Sequence, residues 1–289
     1  MHYAWLVPGL ALGLLLGSAM PLCAQNSISG LRQSVRRPPA EHRLPRSDQR
    51  RQQSEDDPWQ NDEDDNSTSN NSIGDWNPIG QILLAPFTAP RFYLQDRGQE
   101  VFFTNYPFED HYSGNLVVEP LWSPDLKKTR LRFGTEYGDN FDRQQKITTR
   151  LQFDTTTRIG IDTSFDYLRE QLGSGAHDQT WIGDINLTWR FAQSEHSEFR
   201  SGLGYNWLAD SGNSGKGFNF TYGATFFLNK PSVLDLDIDL GRLGNADLTR
   251  IKTTYSRYIK RIKLSIGYEY LHLGAFQANY FTTGLSLDF

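Results

Sequence analysis

The sequence predicts an all-β protein, an antiparallel up-and-down β-barrel of ten strands that follows a disordered N-terminal segment. Three observations carry this expectation. From Lys127 onward apolar residues recur at every second position through segments of about ten residues, the period of a strand with two unlike faces. Turn-rich breaks separate ten such segments. The face opposite the apolar one mixes charged residues with repeated glycines.

Residues 1–25, MHYAWLVPGLALGLLLGSAMPLCAQ, join a short apolar run from Leu10 to Leu16 to small residues and a cleavage point after Ala24, the pattern of a secretory signal peptide. The run is shorter than the about 20 residues a membrane-spanning helix needs. Cys23 is the single cysteine, and the residues before it do not form a lipoprotein box. Cleavage after Ala24 removes it, so disulfides and cysteine-ligated metals drop out.

Residues 26–77 are polar, with a basic first half (Arg32, Arg36, Arg37, Arg43, Arg46, Arg50, Arg51) and an acidic second half (Glu55, Asp56, Asp57, Asp62, Glu63, Asp64, Asp65). Such a stretch cannot bury enough apolar surface to offset chain entropy, and it reads as a disordered tether. Contact with an anionic envelope surface through its Arg-rich half is the functional alternative. A net charge of -5 and the lack of any nucleic-acid-binding motif argue against a nucleic-acid partner. Residues 78–126 read as an irregular lead-in or lumen plug. EVFFTNYPF and GNLVVEPLW offer one extra hairpin and hence twelve strands, but Pro107, Pro120 and Pro124 oppose regular central strands.

In the body, residues 127–289, LRFGTEY sets Leu131, Phe133, Thr135 and Tyr137 against Arg132, Gly134 and Glu136. VLDLDIDLG alternates Leu234, Leu236, Ile238 and Leu240 with Asp235, Asp237 and Asp239, and KLSIGYEY alternates Leu264, Ile266, Tyr268 and Tyr270 with Lys263, Ser265, Gly267 and Glu269. Alternation alone does not say which face is inside. Glycines on an exposed face would only weaken strands, whereas in a narrow lumen they make room for long charged side chains. The polar face is therefore expected inward.

Charge placement adds to this. A short turn at 155–157 would put Arg150 opposite Asp162 and Lys146 opposite Asp166, and a two-residue turn at Lys260 and Arg261 puts Lys252 opposite Glu269. The Asp235, Asp237 and Asp239 column is expected to be balanced by Arg250, Lys252 and Lys263. Running the segments alternately up and down gathers Tyr137, Tyr167, Trp181, Trp207, Tyr268 and Tyr270 at one end and Trp189 and Phe191 at the other, like two aromatic belts at bilayer interfaces. The breaks YGDNFDRQQ, REQLGSGAHDQ and ADSGNSGKG look longer than the alternate set, which suggests long loops at one rim and short turns at the other.

In these features residues 127–289 resemble the small single-chain bacterial outer-membrane β-barrel proteins. The resemblance implies outer-membrane localisation after export, a lipid-facing exterior, and a lumen that is structural, binds through surface loops or conducts as a narrow pore. It also implies that GLSLDF is the last strand, with Phe289 as the signal read by the barrel-assembly machinery. A mean hydropathy of -0.57 is expected where each strand is only half apolar.

No cofactor or metal is expected, and catalysis is the alternative reading. His177 and Asp178 lie at the rim where the omptin family of ten-stranded proteases carries catalytic aspartates and a histidine–aspartate couple, but adjacent residues point to opposite faces of a strand. His272 in EYLHLG has no local nucleophile. GNSGKG lacks the spacing and following helix of a phosphate loop. A hydrolase at the extracellular rim remains the alternative to a binding or pore-forming barrel.

Overall fold

A computed structural model describes residues 27–36 and 78–289, apart from 97, 99, 111, 119–125, 174 and 211–212. The signal-peptide segment and residues 26 and 37–77 of the expected tether lie outside the described residues. Two helices, α1 (Ile28–Arg36) and α2 (Pro78–Tyr93), precede a two-stranded sheet of β1 (Val101–Phe103) and β2 (Leu116–Val118). The barrel follows as β3 (Thr129–Asp139), β4 (Gln144–Thr155), β5 (Ile159–Gln171), β6 (His177–Gln193), β7 (Ser197–Asp210), β8 (Asn213–Phe227), β9 (Ser232–Leu243), β10 (Ala246–Ile259), β11 (Ile262–Leu273) and β12 (Phe276–Asp288).

These ten strands form one closed antiparallel barrel in sequence order, sealed where β12 pairs with β3 from Phe281↔Asp139 to Asp288↔Arg132. Two further bonds at the seam, from the Phe289 N–H to the Leu131 carbonyl (2.8 Å) and from Leu131 back to Phe289 (3.2 Å), carry the pairing past β12. The twelve-strand alternative fails for a definite reason. Val101–Phe103 and Leu116–Val118, from EVFFTNYPF and GNLVVEPLW, do pair, Val101 opposite Val118, but they form a separate two-stranded sheet outside the ten-stranded barrel.

Period two decides the faces throughout. Lys146, Asp166, Arg190 and Glu269 are buried inside, whereas Leu187, Leu203, Ile266 and Phe281 are exposed outside. This polarity is the reverse of a soluble barrel. A Cβ on Gly223 would stand 2.7 Å from the Arg200 guanidinium carbon, and one on Gly284 would stand 2.4 Å from Glu136 Cγ. Both glycines leave space for a long charged side chain in a narrow bore.

Several expectations need correction. The rims do not differ in loop length: 140–143, 172–176, 211–212, 244–245 and 274–275 join strands at the upper rim, and 156–158, 194–196, 228–231 and 260–261 at the lower. The strands run on through the supposed loops, so that GNSGKG lies mostly in β8. Second, Arg158 takes a positive φ of 71° within its turn instead of pairing with Asp154, so Asp154 faces Gly160, Arg150 faces Ser164 and Lys146 faces Leu168. Only the Lys252↔Glu269 placement stands. Third, residues 28–36 of the expected tether form α1, whose Ile28, Leu31 and Val35 give an apolar stripe that composition averaged over fifty residues hides.

Residues 78–126 are not irregular at their start: α2 lies against the outside of the barrel, Phe87 packing on Phe191, Phe220 and Tyr222. Phe191, placed by sequence in an exterior belt, is consequently 2% exposed. From Asp96 on, the chain turns under the lower mouth. Burial pushes the Asp96 carboxyl up, but the Arg158 guanidinium (2.7 Å) and the backbone N–H groups of Gly98 and Gln193 outweigh it and hold the group below 3.8.

Leu203, 58% exposed near the middle of β7, tests the exterior. Leu203→Arg should destabilise the barrel by about 2–4 kcal/mol in urea titrations of protein folded into lipid vesicles, the cost of a cation near the bilayer midplane. A barrel with a water-exposed exterior would show no such loss.

Candidate functional site

Among the described residues, chemistry-bearing side chains converge in the lumen, and it is layered. In the middle layer Arg150 pairs with Asp162 across neighbouring strands and with Asp237 on the far wall at 3.1 Å. Arg200 reaches the same Asp237. Lys146 spans from β4 to Glu269 on β11 and lies 3.9 Å from Asp166. Arg250 is the hub, 2.6 Å from Asp166, 3.5 Å from Asp184, 3.6 Å from Asp239 and 3.8 Å from Glu269. Lys252 pairs with Glu136, and Lys263 with Asp235 at 2.6 Å.

Sequence reasoning singled out Lys146, Arg150, Asp162, Asp166, Asp235, Asp237, Asp239, Lys252 and Glu269, and the structure brings all nine into this network. Their partners differ from those a simple ladder suggests. Lys252 stands opposite Glu269 but bonds Glu136, and Lys146 reaches across the bore for Glu269. Arg150 still meets Asp162 because a long side chain covers a diagonal offset of two residues. Glu136, Asp184 and Arg200 were missed as partners; their signal was the inward parity they share with the rest, but cross-lumen neighbours leave no trace in sequence spacing.

Below this layer Arg130 bonds Asp154 (2.6 Å) and Glu198 (2.9 Å), and Arg132 bonds Asp288 (2.7 Å). Phe103 of β1 inserts its ring between two guanidiniums, 5.0 Å from that of Arg130 and 4.8 Å from that of Arg190. Phe108 packs on Phe227 and Tyr258 beside it. The segment after α2 thus closes the lower mouth with aromatic side chains seated on buried cations.

Above it the inward face turns apolar, with Leu168, Ile182, Leu208, Leu248, Leu271, Leu273 and Phe276 buried around α1. What space is left among the middle charges includes pockets of about 50 and 30 Å³ lined by Arg150, Asp237 and Lys252. These have room for a few waters and not for a solute.

The residues considered for catalysis do not assemble. His177 opens β6 at the exposed rim, and its neighbour Asp178 faces inward to Arg32 of α1, 2.6 Å away. His272 lies opposite Gln277 on the outward face of β11. Among the described residues no cluster of histidine, cysteine or carboxylate groups is arranged to hold a metal ion. Tyr137, Trp181, Trp189 and Tyr268 are exposed on the outer surface, with Tyr167, Trp207 and Tyr270 half-buried there. Tyr167 and Trp181 are in contact, their rings 4.7 Å apart.

The architecture is that of a closed ten-stranded antiparallel barrel with an apolar exterior and a charged lumen. No protein-family model matches the chain, and no characterised protein matches its sequence. Among solved structures, the chain is similar to a NanC porin, with 13% identity over 54% of this chain and 98% of that one and a TM-score of 0.35. It is also similar to a loop-deletion mutant of OmpT, an outer membrane protein of Vibrio cholerae, with 11% identity over 66% and 74% and a TM-score of 0.31. The beta domain of the Bordetella autotransporter BrkA matches with 10% identity over 55% and 98% and a TM-score of 0.29. TM-scores this low transfer neither fold detail nor function, and the barrel rests on its own strand register.

Asp237 holds two cations, Arg150 and Arg200, in a buried site. Asp237→Ala should cost about 3–5 kcal/mol in urea unfolding of the vesicle-folded protein, because it strands charges away from water. A loss under about 1 kcal/mol, the size of an exposed ion pair, would show a well-hydrated lumen.

Proposed function

We propose that the protein is an integral outer-membrane barrel of structural or ligand-binding type whose lumen does not conduct in the state seen. One observation carries this reading: the buried charges pair from wall to wall, as Lys146 does with Glu269 and Arg150 with Asp237, so the bore is crossed by side chains. The reading has further support at both ends, where α1 fills the upper mouth and Phe103 with Phe108 fills the lower. With short connections at both rims, recognition through long surface loops loses its basis, and the mouths themselves become the binding surfaces.

Placement in the outer membrane, contact with its lipid through the apolar exterior and the aromatic residues at both ends, and recognition of β12 and Phe289 by the barrel-assembly machinery belong to the same proposal. Arg32 and Arg36 of the Arg-rich segment find carboxylates within the barrel. That reduces what the segment could offer an anionic envelope surface.

Planar-bilayer recording of the refolded full chain tests the closed lumen. No discrete conductance steps are expected over voltages at which open porins conduct steadily. A stable ohmic step in every insertion would contradict the proposal and restore the narrow pore.

A further inference from the structure

The upper mouth is built to receive a helix. Its wall is an apolar ring, including Leu168, Leu208, Leu248, Leu271, Leu273 and Phe276, in a lumen that is otherwise charged. Into it α1 inserts Ile28, Leu31 and Val35, at positions i, i+3 and i+7 of one helix face. The flank of that apolar face meets an acidic rim. Arg32 lies with its fork on Asp178, at 2.6 and 3.1 Å, and its Nε 2.9 Å from Asp210, which also accepts from Arg36 at 2.9 Å.

Both helix ends are met by wall residues. The Ile28 N–H donates to Glu170 at 2.7 Å, and the Asn245 N–H donates to the Val35 carbonyl at 3.0 Å. These satisfy groups that a helix terminus leaves open. Space is reserved as well: a Cβ on Gly215 would stand 2.4 Å from Val35 Cγ1.

The helix itself is weak. At nine residues, α1 is below the about 12–15 residues at which isolated helices become even marginally stable, so its helical state comes from the mouth. The wall is strong, since its strands are paired on both sides in a closed barrel that does not include α1. A preformed receptor with a short ligand that folds on docking is the helix-in-groove mode of peptide recognition.

We propose that the upper mouth is a peptide-binding site for a short basic amphipathic helix, occupied in this state by α1 as a tethered and exchangeable ligand. The wall sets the ligand class: apolar side chains at i, i+3 and i+7, with arginines at i+4 and i+8 for Asp178 and Asp210. A free peptide with that pattern competes with α1, at the disadvantage of facing a tethered rival. The site goes beyond the closed-lumen reading and does not depend on which membrane holds the barrel.

The test uses the detergent-refolded full chain and a fluorescent peptide spanning residues 26–38. In Leu31→Asp the tethered helix loses its central anchor, and the peptide should bind about tenfold or more tighter than to the unaltered chain. Asp178→Lys together with Asp210→Lys, added to that variant, should abolish binding. Ser34→Cys with Ala275→Cys in a Cys23→Ser background joins α1 to the wall where the Ala275 N–H meets Ser34 Oγ at 3.0 Å. The oxidised form should refuse the peptide, and reduction should restore uptake. Failure of a heat-modifiable, folded Leu31→Asp protein to bind would overturn the proposal. Equal uptake by the oxidised and reduced cysteine forms would overturn it too, and that comparison holds even if Leu31→Asp does not fold.

Discussion

Closing ten two-faced strands into one narrow tube forces a single choice on every residue of the wall, outward or inward. Once the apolar set faces out, the charged residues of the other parity are confined together, and most of them are buried away from bulk water. Their mutual neutralisation is therefore the interaction on which the rest depends. Arg250 with four carboxylates around it and Asp237 between two guanidiniums show how it is met. Replacing one partner leaves the other stranded, which makes the network a commitment of the whole barrel and not a set of separable bridges. Glycines such as Gly223 follow from the same confinement, because a guanidinium fills the space a Cβ would take.

The two mouths solve a different problem. A charge network in the middle leaves the ends of the tube open, and each end is covered by a segment from before the barrel. At the lower mouth Phe103 sits between the Arg130 and Arg190 guanidiniums, so an apolar ring is seated by cations. At the upper mouth the wall is apolar and the inserted helix brings the cations, Arg32 and Arg36. The chain therefore occupies both mouths. The outer surface carries its own attachment, α2 over Phe191 and Tyr222, with Phe92 81% exposed. An apolar helix laid on an apolar outer surface is what the proposed bilayer setting calls for.

Much of this was legible in the sequence. Period two identified all ten strands and their inward face, because a one-residue slip would have exchanged the two faces completely. The network was legible as membership and not as pairing. Ladder arithmetic found Lys252 opposite Glu269, but Arg158 withdrew into its turn and moved Lys146 and Arg150 by two positions. Cross-lumen contacts, which join residues as far apart as Lys146 and Glu269, obey no local spacing. Helix α1 was hidden by the polar stretch around it. Its receptor, however, had a signal that went unread: at the upper strand ends apolar residues stop alternating and become adjacent, as in Tyr167-Leu168, Trp181-Ile182, Trp207-Leu208 and Tyr270-Leu271. Helix α2 was obscured by Pro86 and Pro90, which lie within it.

The central claim is that one parity faces lipid and the other an enclosed, charge-paired lumen. Single cysteines at positions 251 to 256 of β10, each carrying a small fluorophore in the vesicle-folded protein, test it most directly. Brominated lipid should quench the label strongly at Ile251, Thr253 and Tyr255 and weakly at Lys252, Thr254 and Ser256. Quenching without alternation, or equal quenching of all six by aqueous iodide, would contradict the account.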